Sequence, residues 1–349
     1  MHFTELDTPA LCVDLDVLEK NIRDLQNACD QLEISLRVHT KTHKTPAIAR
    51  MQIAAGAIGI VSQKLGEAEA MADGGIQDIL IPYNIVGQPK LARLTRLIQS
   101  GKSTLTVAAD SAATVDGLSQ AATAASCRIR TIVEMDTGGG RVGTQSPADT
   151  LALAQHIDQL PGLDFTGVMT YPSSARARPF LDEVREGARK SGLPLHIISG
   201  GGTGSEAISK SLGCTETRIG SYAYEGMTRV GKRDDLNPTR CPLRLVVTVV
   251  STSRPGQAIV DAGQKAFTSY PPTPYGYCIE QPELFLKGMS VEHGHVDTTA
   301  ADRPVNVGDI LSFIPLQGGM TTNLHDRLFA LRNGEVVEEW AVAGRGRGQ

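Results

Sequence analysis

Between about residues 18 and 222 the chain alternates short apolar runs with longer stretches in which Ala, Leu, Glu and Lys recur at helical spacing. The short runs fall at 36–39, 57–62, 78–82, 105–109, 130–135, 165–170, 195–198 and 217–220, with helical patterns such as 64–73, 90–100, 147–159 and 180–191 between them. The short runs lack strict apolar–polar alternation, as parallel strands covered on both faces do. Eight such units within about 200 residues have the count and length of a (β/α)8 barrel. An open doubly wound sheet is the competing arrangement, but it normally takes fewer strands and a reversal in their order.

Near residue 236 the texture changes. Runs at 243–251, 257–260, 288–292, 309–315, 327–332 and 336–341 read as strands separated by turns such as Arg332-Asn333-Gly334, and helical periodicity is almost gone. The pattern predicts an α/β protein: a TIM-like barrel over residues 15–235, then a C-terminal antiparallel β domain over 236–349 that also takes a strand from residues 1–14.

Composition narrows the function classes. A net charge of −4 gives no electrostatic case for nucleic acid or an anionic membrane, and 4% aromatic residues offer few stacking platforms. The opening residues 1–7 lack a basic segment followed by an apolar core, so no signal peptide is expected. Six cysteines are scattered without a CxxC pair, which suits reduced thiols in the cytoplasm better than disulfides or structural zinc. A cytoplasmic enzyme acting on a small molecule is the expectation.

The candidate chemistry sits at strand ends, where barrels build active sites. Lys41 lies just past the first barrel strand in Arg37-Val38-His39-Thr40-Lys41-Thr42-His43-Lys44. A lysine there can form an imine with an aldehyde cofactor if burial and basic neighbours lower its pKa, and His39 and His43 are such neighbours. Lys44, further toward the next helix, is the less favoured imine former. Ser199-Gly200-Gly201-Gly202-Thr203-Gly204-Ser205 follows the seventh strand, where barrel enzymes frequently hold phosphate, and Gly220-Ser221-Tyr222 follows the eighth. Gly201, Gly202, Thr203, Gly220, Ser221 and Tyr222 are therefore candidate phosphate contacts. Asp136-Thr137-Gly138-Gly139-Gly140-Arg141 follows strand five and can aim a guanidinium into the mouth. Gln63 and Tyr171 end strands two and six.

In this order, and together with Glu67-Ala68-Glu69-Ala70, Asp261-Ala262-Gly263, Glu292-His293-Gly294 and Ala343-Gly344-Arg345-Gly346, these segments resemble the D-threonine aldolase / D-serine dehydratase family of alanine-racemase-like, fold type III pyridoxal 5'-phosphate (PLP) enzymes. The resemblance runs from Thr8-Pro9 to the C-terminus. It implies PLP on Lys41, Arg141 near the cofactor's phenolic oxygen, phosphate on the two loops, and a homodimer.

Two departures stand out. Members of that family usually carry a divalent-metal site in a Pro-x-His-x-Asp or Pro-x-His-x-Cys segment, whereas this chain reads Pro315-Leu316-Gln317-Gly318-Gly319. A glutamine amide and a glycine cannot form that site, so no metal is expected. Many relatives also have Tyr-x-Gly and a histidine after strand six, where this chain has Tyr171-Pro172-Ser173-Ser174. The expected reaction is retro-aldol cleavage of a D-3-hydroxy amino acid, with a metal-independent route open to it, Tyr171 at the mouth and Ser174, His293 or an ordered water as base. A D-amino acid dehydratase, a racemase, a transaminase-like enzyme or a low-turnover PLP-binding protein are the alternatives. Arg176, Arg178 and Arg229 are candidates for a distal substrate carboxylate.

Overall fold

The computed structural model describes residues 1–227 and 237–349, so Arg229 and the domain boundary expected at 235/236 lie outside the described residues. The chain forms two compact units: Met1–Arg23 with Thr42–Thr45 and Ser221–Arg345, and Asp24–Lys41 with Pro46–Gly220 and Gly346–Gln349.

The second unit contains a closed, all-parallel barrel of β2 (Ser35–His39), β3 (Gly59–Val61), β4 (Asp78–Ile81), β5 (Thr104–Ala109), β6 (Ile129–Met135), β7 (Leu163–Thr170), β8 (Ile197–Gly201) and β9 (Glu216–Ile219). All eight expected strands are present, and the helix Pro147–Gln159 has the predicted limits, with Ser146 Oγ accepting from Asp149 N at its start. One difference matters for the site. Strand β8 runs on through Gly200 and Gly201, so the glycine-rich segment is strand first and loop only from Gly202.

Side-chain alternation along the strands sorts the barrel interior into layers. Val61, Leu80, Ala108, Ile132 and Met169 form one buried apolar cluster. Two residues earlier on β3, β4 and β6 stand Gly59, Asp78 and Arg130, where the interior turns ionic. Arg37 Nε bonds both oxygens of Glu216 at 3.0 and 2.9 Å, Nη1 of Arg37 bonds Asp78, and Arg130 lies 3.8 Å from Asp78. Gly59 makes this possible, since a Cβ there would stand 2.6 Å from Arg37 Nη1.

The first unit carries a nine-stranded sheet in the order β11-β14-β13-β12-β15-β10-β1-β16-β17, in which β11 also pairs with β10. Its strands are β1 (Ala10–Asp14), β10 (Leu243–Arg254), β11 (Gln257–Val260), β12 (Gly276–Cys278), β13 (Phe285–Met289), β14 (Gly294–Asp297), β15 (Ile310–Pro315), β16 (Arg327–Arg332) and β17 (Glu335–Ala341). The N-terminal strand joins it as expected, antiparallel to β10 and parallel to β16. The run expected at 288–292 is displaced: β13 ends at Met289, and Ser290 N donates to His293 O at 2.9 Å, closing a tight turn into β14.

Glu216 is almost fully enclosed, so removing its partner strands a charge. Arg37→Met should destabilise the protein by roughly 3–5 kcal/mol, read as a lowered denaturant midpoint. A loss below about 1 kcal/mol would show that the pair is dispensable.

Candidate active site

The polypeptide after β2 turns through the 3-10 segment Thr40–Thr42, which carries Lys41 to the C-terminal end of the barrel. Lys41 shares one cavity with His39, Gln63, Pro82, Glu134, Arg141, Met169, Tyr171 and Arg218. The strand period explains the set. Gln63, Pro82, Glu134 and Tyr171 each lie two residues beyond a member of the apolar cluster, Val61, Leu80, Ile132 and Met169, and so form the next layer outward.

Lys41 is held below the ordinary lysine pKa, first by burial and then by the positive charges of Arg141 and Arg218, with Glu67 opposing. The expected neighbours act differently. His39 Nδ1 accepts from the Lys41 amide (3.4 Å) and Nε2 meets Gln63 Oε1 at 3.1 Å, so both ring nitrogens serve as a hydrogen-bonding link. His43 belongs to the other unit, where its Nδ1 accepts from Thr45 N at 3.1 Å and its ring meets Tyr224 edge-on. Lys44, expected in the following helix, precedes it: that helix is Pro46–Ala54, and Lys44 Nζ donates to Asn323 Oδ1 at 2.7 Å. Gln63 is also anchored through its backbone, because Glu67 Oε2 accepts from the amides of Gln63 (3.0 Å) and Lys64 (3.3 Å).

Arg218 is the principal residue that sequence reasoning missed. It is buried, with Nη1 donating to Ser199 Oγ at 2.5 Å and Nη2 to Thr170 O at 2.7 Å. Ser199 Oγ in turn donates to Glu216 Oε1 at 2.6 Å, which links Arg218 to the ionic floor around Arg37. Burial opposes the charge of Arg218, and Glu216 and Glu134 sustain it. The signal available in the sequence was its place two residues before Gly220, on a strand whose interior positions point into the barrel.

Arg141 sits on a loop whose geometry is set by Asp136. That carboxylate accepts from the amides of Gly138 (2.9 Å), Gly139 (2.7 Å) and Gly140 (3.1 Å), and these bonds lower its pKa. The loop returns to β6 through Asp136 N to Thr144 O (3.0 Å) and Thr144 N to Glu134 O (2.9 Å). The Arg141 guanidinium lies 5.2 Å from the centre of the Tyr171 ring.

The remaining expected residues divide plainly. Gly201 ends β8, with its amide donating to Ser173 Oγ (2.8 Å), and Gly202–Ser205 form a turn that only glycine suits at Gly202 (φ 132°). Thr203 lies in that turn, and Gly220 follows β9. Ser221 and Tyr222 open the other unit within the 3-10 segment Ser221–Ala223, and Tyr222 is buried there. Ser174 does not line the cavity; it precedes the 3-10 segment Ala175–Ala177, and its carbonyl accepts from Ala177 N. His293 is exposed at the β13–β14 turn of the first unit. Arg178 donates to Ser211 O (2.8 Å), away from the cavity residues, and Arg176 is exposed in the same segment.

The sign of the charge effect on Lys41 is testable. With protonation disfavoured, its amine should react with a neutral aldehyde at lower pH than surface lysines do. Arg141→Met should move the midpoint of that reaction upward, measured by reductive trapping and peptide mass. An unmoved midpoint would mean that Arg141 exerts no field at Lys41.

Comparison with known proteins agrees with this architecture. Residues 13–228 match the family described as alanine racemase, N-terminal domain, and residues 242–331 match a putative serine dehydratase domain. The chain is 37% identical to a D-threonine aldolase of an Arthrobacter species, over 98% of this chain and 93% of that protein. It is 33% identical to a 3-hydroxy-D-aspartate aldolase of Paracoccus denitrificans, over 100% of this chain and 94% of the relative. Among solved structures it resembles D-threonine aldolase from Filomicrobium marinum, with a TM-score of 0.90 and 30% identity over 99% of this chain and 97% of that one.

Proposed function

This chain belongs to the alanine-racemase-like, fold type III family of PLP enzymes, and from that premise we propose that it is a PLP-dependent lyase that cleaves D-3-hydroxy amino acids to glycine and an aldehyde. The observation that carries the reading is Lys41 itself. It is one amine with suppressed protonation at the C-terminal mouth of a closed barrel, in a chain matched over its whole length by aldolases.

The cavity residues fit PLP. Two guanidinium side chains, Arg141 and Arg218, face a single carboxylate, Glu134, among the described lining residues, so the cavity beside the Lys41 amine favours an anionic guest. Lys41 would hold the cofactor covalently, Arg141 would face its phenolic oxygen, and Gly201, Gly202, Thr203 and Gly220 would receive its phosphate. Bound there, PLP supplies the electron sink that lets a bond to the substrate Cα break. Gln63 and His39 fix one wall through their mutual hydrogen bond, and Tyr171 is the hydroxyl that the cavity offers to hold or move a proton at the substrate's β-oxygen.

A divalent cation does not fit the positions where the resemblance would place it. Gln317 is the N-cap of the short helix Gly318–Thr322, and Gly319 brings no side chain. His325 is engaged by the carbonyl of Ala266 at 2.8 Å, and burial lowers its pKa. Among the described residues no group of three or more His, Cys, Asp or Glu side chains could hold a metal. The resemblance supports a homodimer, and six cysteines, five of them buried and none in a disulfide, support a reducing cytoplasm. Among the described residues no helix is long and apolar enough to cross a membrane.

The test is incubation of PLP-loaded protein with a panel of D-3-hydroxy amino acids, with and without a chelator, and product identification by mass. Glycine plus an aldehyde, undiminished by chelator and lost in Lys41→Ala, is expected. A second reading, dehydration, draws on the serine dehydratase match at 242–331 and would appear as a 2-oxo acid plus ammonia. Activity that collapses with chelator would show that a metal is used after all.

A further inference from the structure

Among the described residues one carboxylate lines the cavity, that of Glu134. Glu134 stands on β6 one layer outward from Ile132, with its side chain only 6% exposed. Its Oε1 lies 3.6 Å from Nη2 of Arg141, whose own side chain is 56% exposed. The arginine is thus carried by a surface loop, while the acid is carried by a barrel strand. The same two residues are tied through the backbone, because the loop returns to the strand at the Glu134 carbonyl, which accepts from Thr144 N at 2.9 Å. The Tyr171 ring borders the guanidinium as well, with its centre 5.2 Å away.

We propose that Glu134 is the positioning residue for Arg141: its carboxylate holds the guanidinium of a glycine-rich loop at the edge of the Lys41 cavity, so that Arg141 presents its charge inward in one place. Asp136 fixes the backbone of the loop through the amides of Gly138, Gly139 and Gly140, and what remains to be placed is the long side chain of Arg141, with many rotamers to lose. A charge fixed on a strand supplies the missing restraint. Burial raises the pKa of Glu134, and Arg218 and then Arg141 act against that rise, so the two arginines sustain the charge that does the holding. Arg141 is one of the charges that hold the Lys41 amine below its ordinary pKa. By placing that guanidinium, Glu134 acts on the lysine through Arg141. The inference builds on the reading of this cavity as a cofactor site.

That indirect route gives the test its sign. In cofactor-free protein, the pH dependence of Lys41 trapping by a neutral aldehyde and cyanoborohydride reports protonation of its amine. Glu134→Gln should free Arg141, weaken its field and slow trapping roughly threefold at a fixed pH below the midpoint. In an Arg141→Met background the same substitution should change nothing further, because its route is gone. Faster trapping in Glu134→Gln would mean that the carboxylate acts on Lys41 directly, and an unchanged rate would mean a purely structural role; either overturns the proposal, as does an additive effect in the double variant. Should Glu134→Gln fail to fold, Glu134→Asp keeps the charge but shortens its reach, and must fall between wild type and Arg141→Met. Failure of the cofactor reading shows separately, as wild-type protein that takes up no PLP and develops no visible absorption band.

Discussion

A positive charge enclosed within a barrel has to be held by partners fixed before any ligand arrives, and the chain Arg218–Ser199–Glu216–Arg37–Asp78 meets that requirement. Each ion buried here carries a desolvation cost of several kcal/mol that only close and complete bonding offsets. The links are supplied by strands β2, β4, β8 and β9, so the network also ties together strands that meet where the barrel closes. Its outer end is the guanidinium of Arg218, locked by Thr170 O and Ser199 Oγ and unable to turn away. So fixed, it joins Arg141 in holding the Lys41 amine below its ordinary pKa. Fold stability and lysine reactivity therefore draw on one set of bonds.

The site is built in layers of differing rigidity. Beneath Lys41 the contacts come from strands. Beside it, Gln63 is fixed by the amide bonds to Glu67 and by His39. Above it, Arg141 and Tyr171 are partly exposed, and one of them rides a glycine-rich loop. This gradient suits a site that must keep one amine poised while admitting and releasing small molecules.

Much of this was legible in the sequence, and what was not has physical causes. Lys41, Gln63, Arg141 and Tyr171 announced themselves because each follows an apolar run, where a polar residue interrupts a pattern. Glu134 and Arg218 lie inside strands, and there a single polar residue reads as an irregularity until the register of neighbouring strands is known. Counting two residues on from Ile132 or Met169 would have found Glu134 and Tyr171 alike, but only a pairing map shows that both face inward. His39 misled for another reason: adjacency in sequence suggested a cationic neighbour, whereas its two nitrogens are engaged by the Lys41 amide and Gln63. In the β sheet, a register shift at Gly288 and the turn closed by Ser290 and His293 displaced the expected strand, and Gly276–Cys278 is too short to declare a period.

The residues after β7 show why a motif match does not by itself assign a role. Two adjacent serines follow Tyr171-Pro172, and Ser174 was a candidate base by its place in the motif. Ser173 is buried, accepting from the Gly201 amide and from Ser209 Oγ, and its hydroxyl is therefore committed to holding the end of β8. Ser174 carries no such load, yet it stands outside the cavity lining. Among the described lining residues Tyr171 is the one that carries a hydroxyl, and the Arg141 guanidinium lies 5.2 Å from its ring centre. A retro-aldol step needs a proton taken from the β-oxygen, and dehydration needs that oxygen to leave with one. A single hydroxyl beside an arginine can serve either direction.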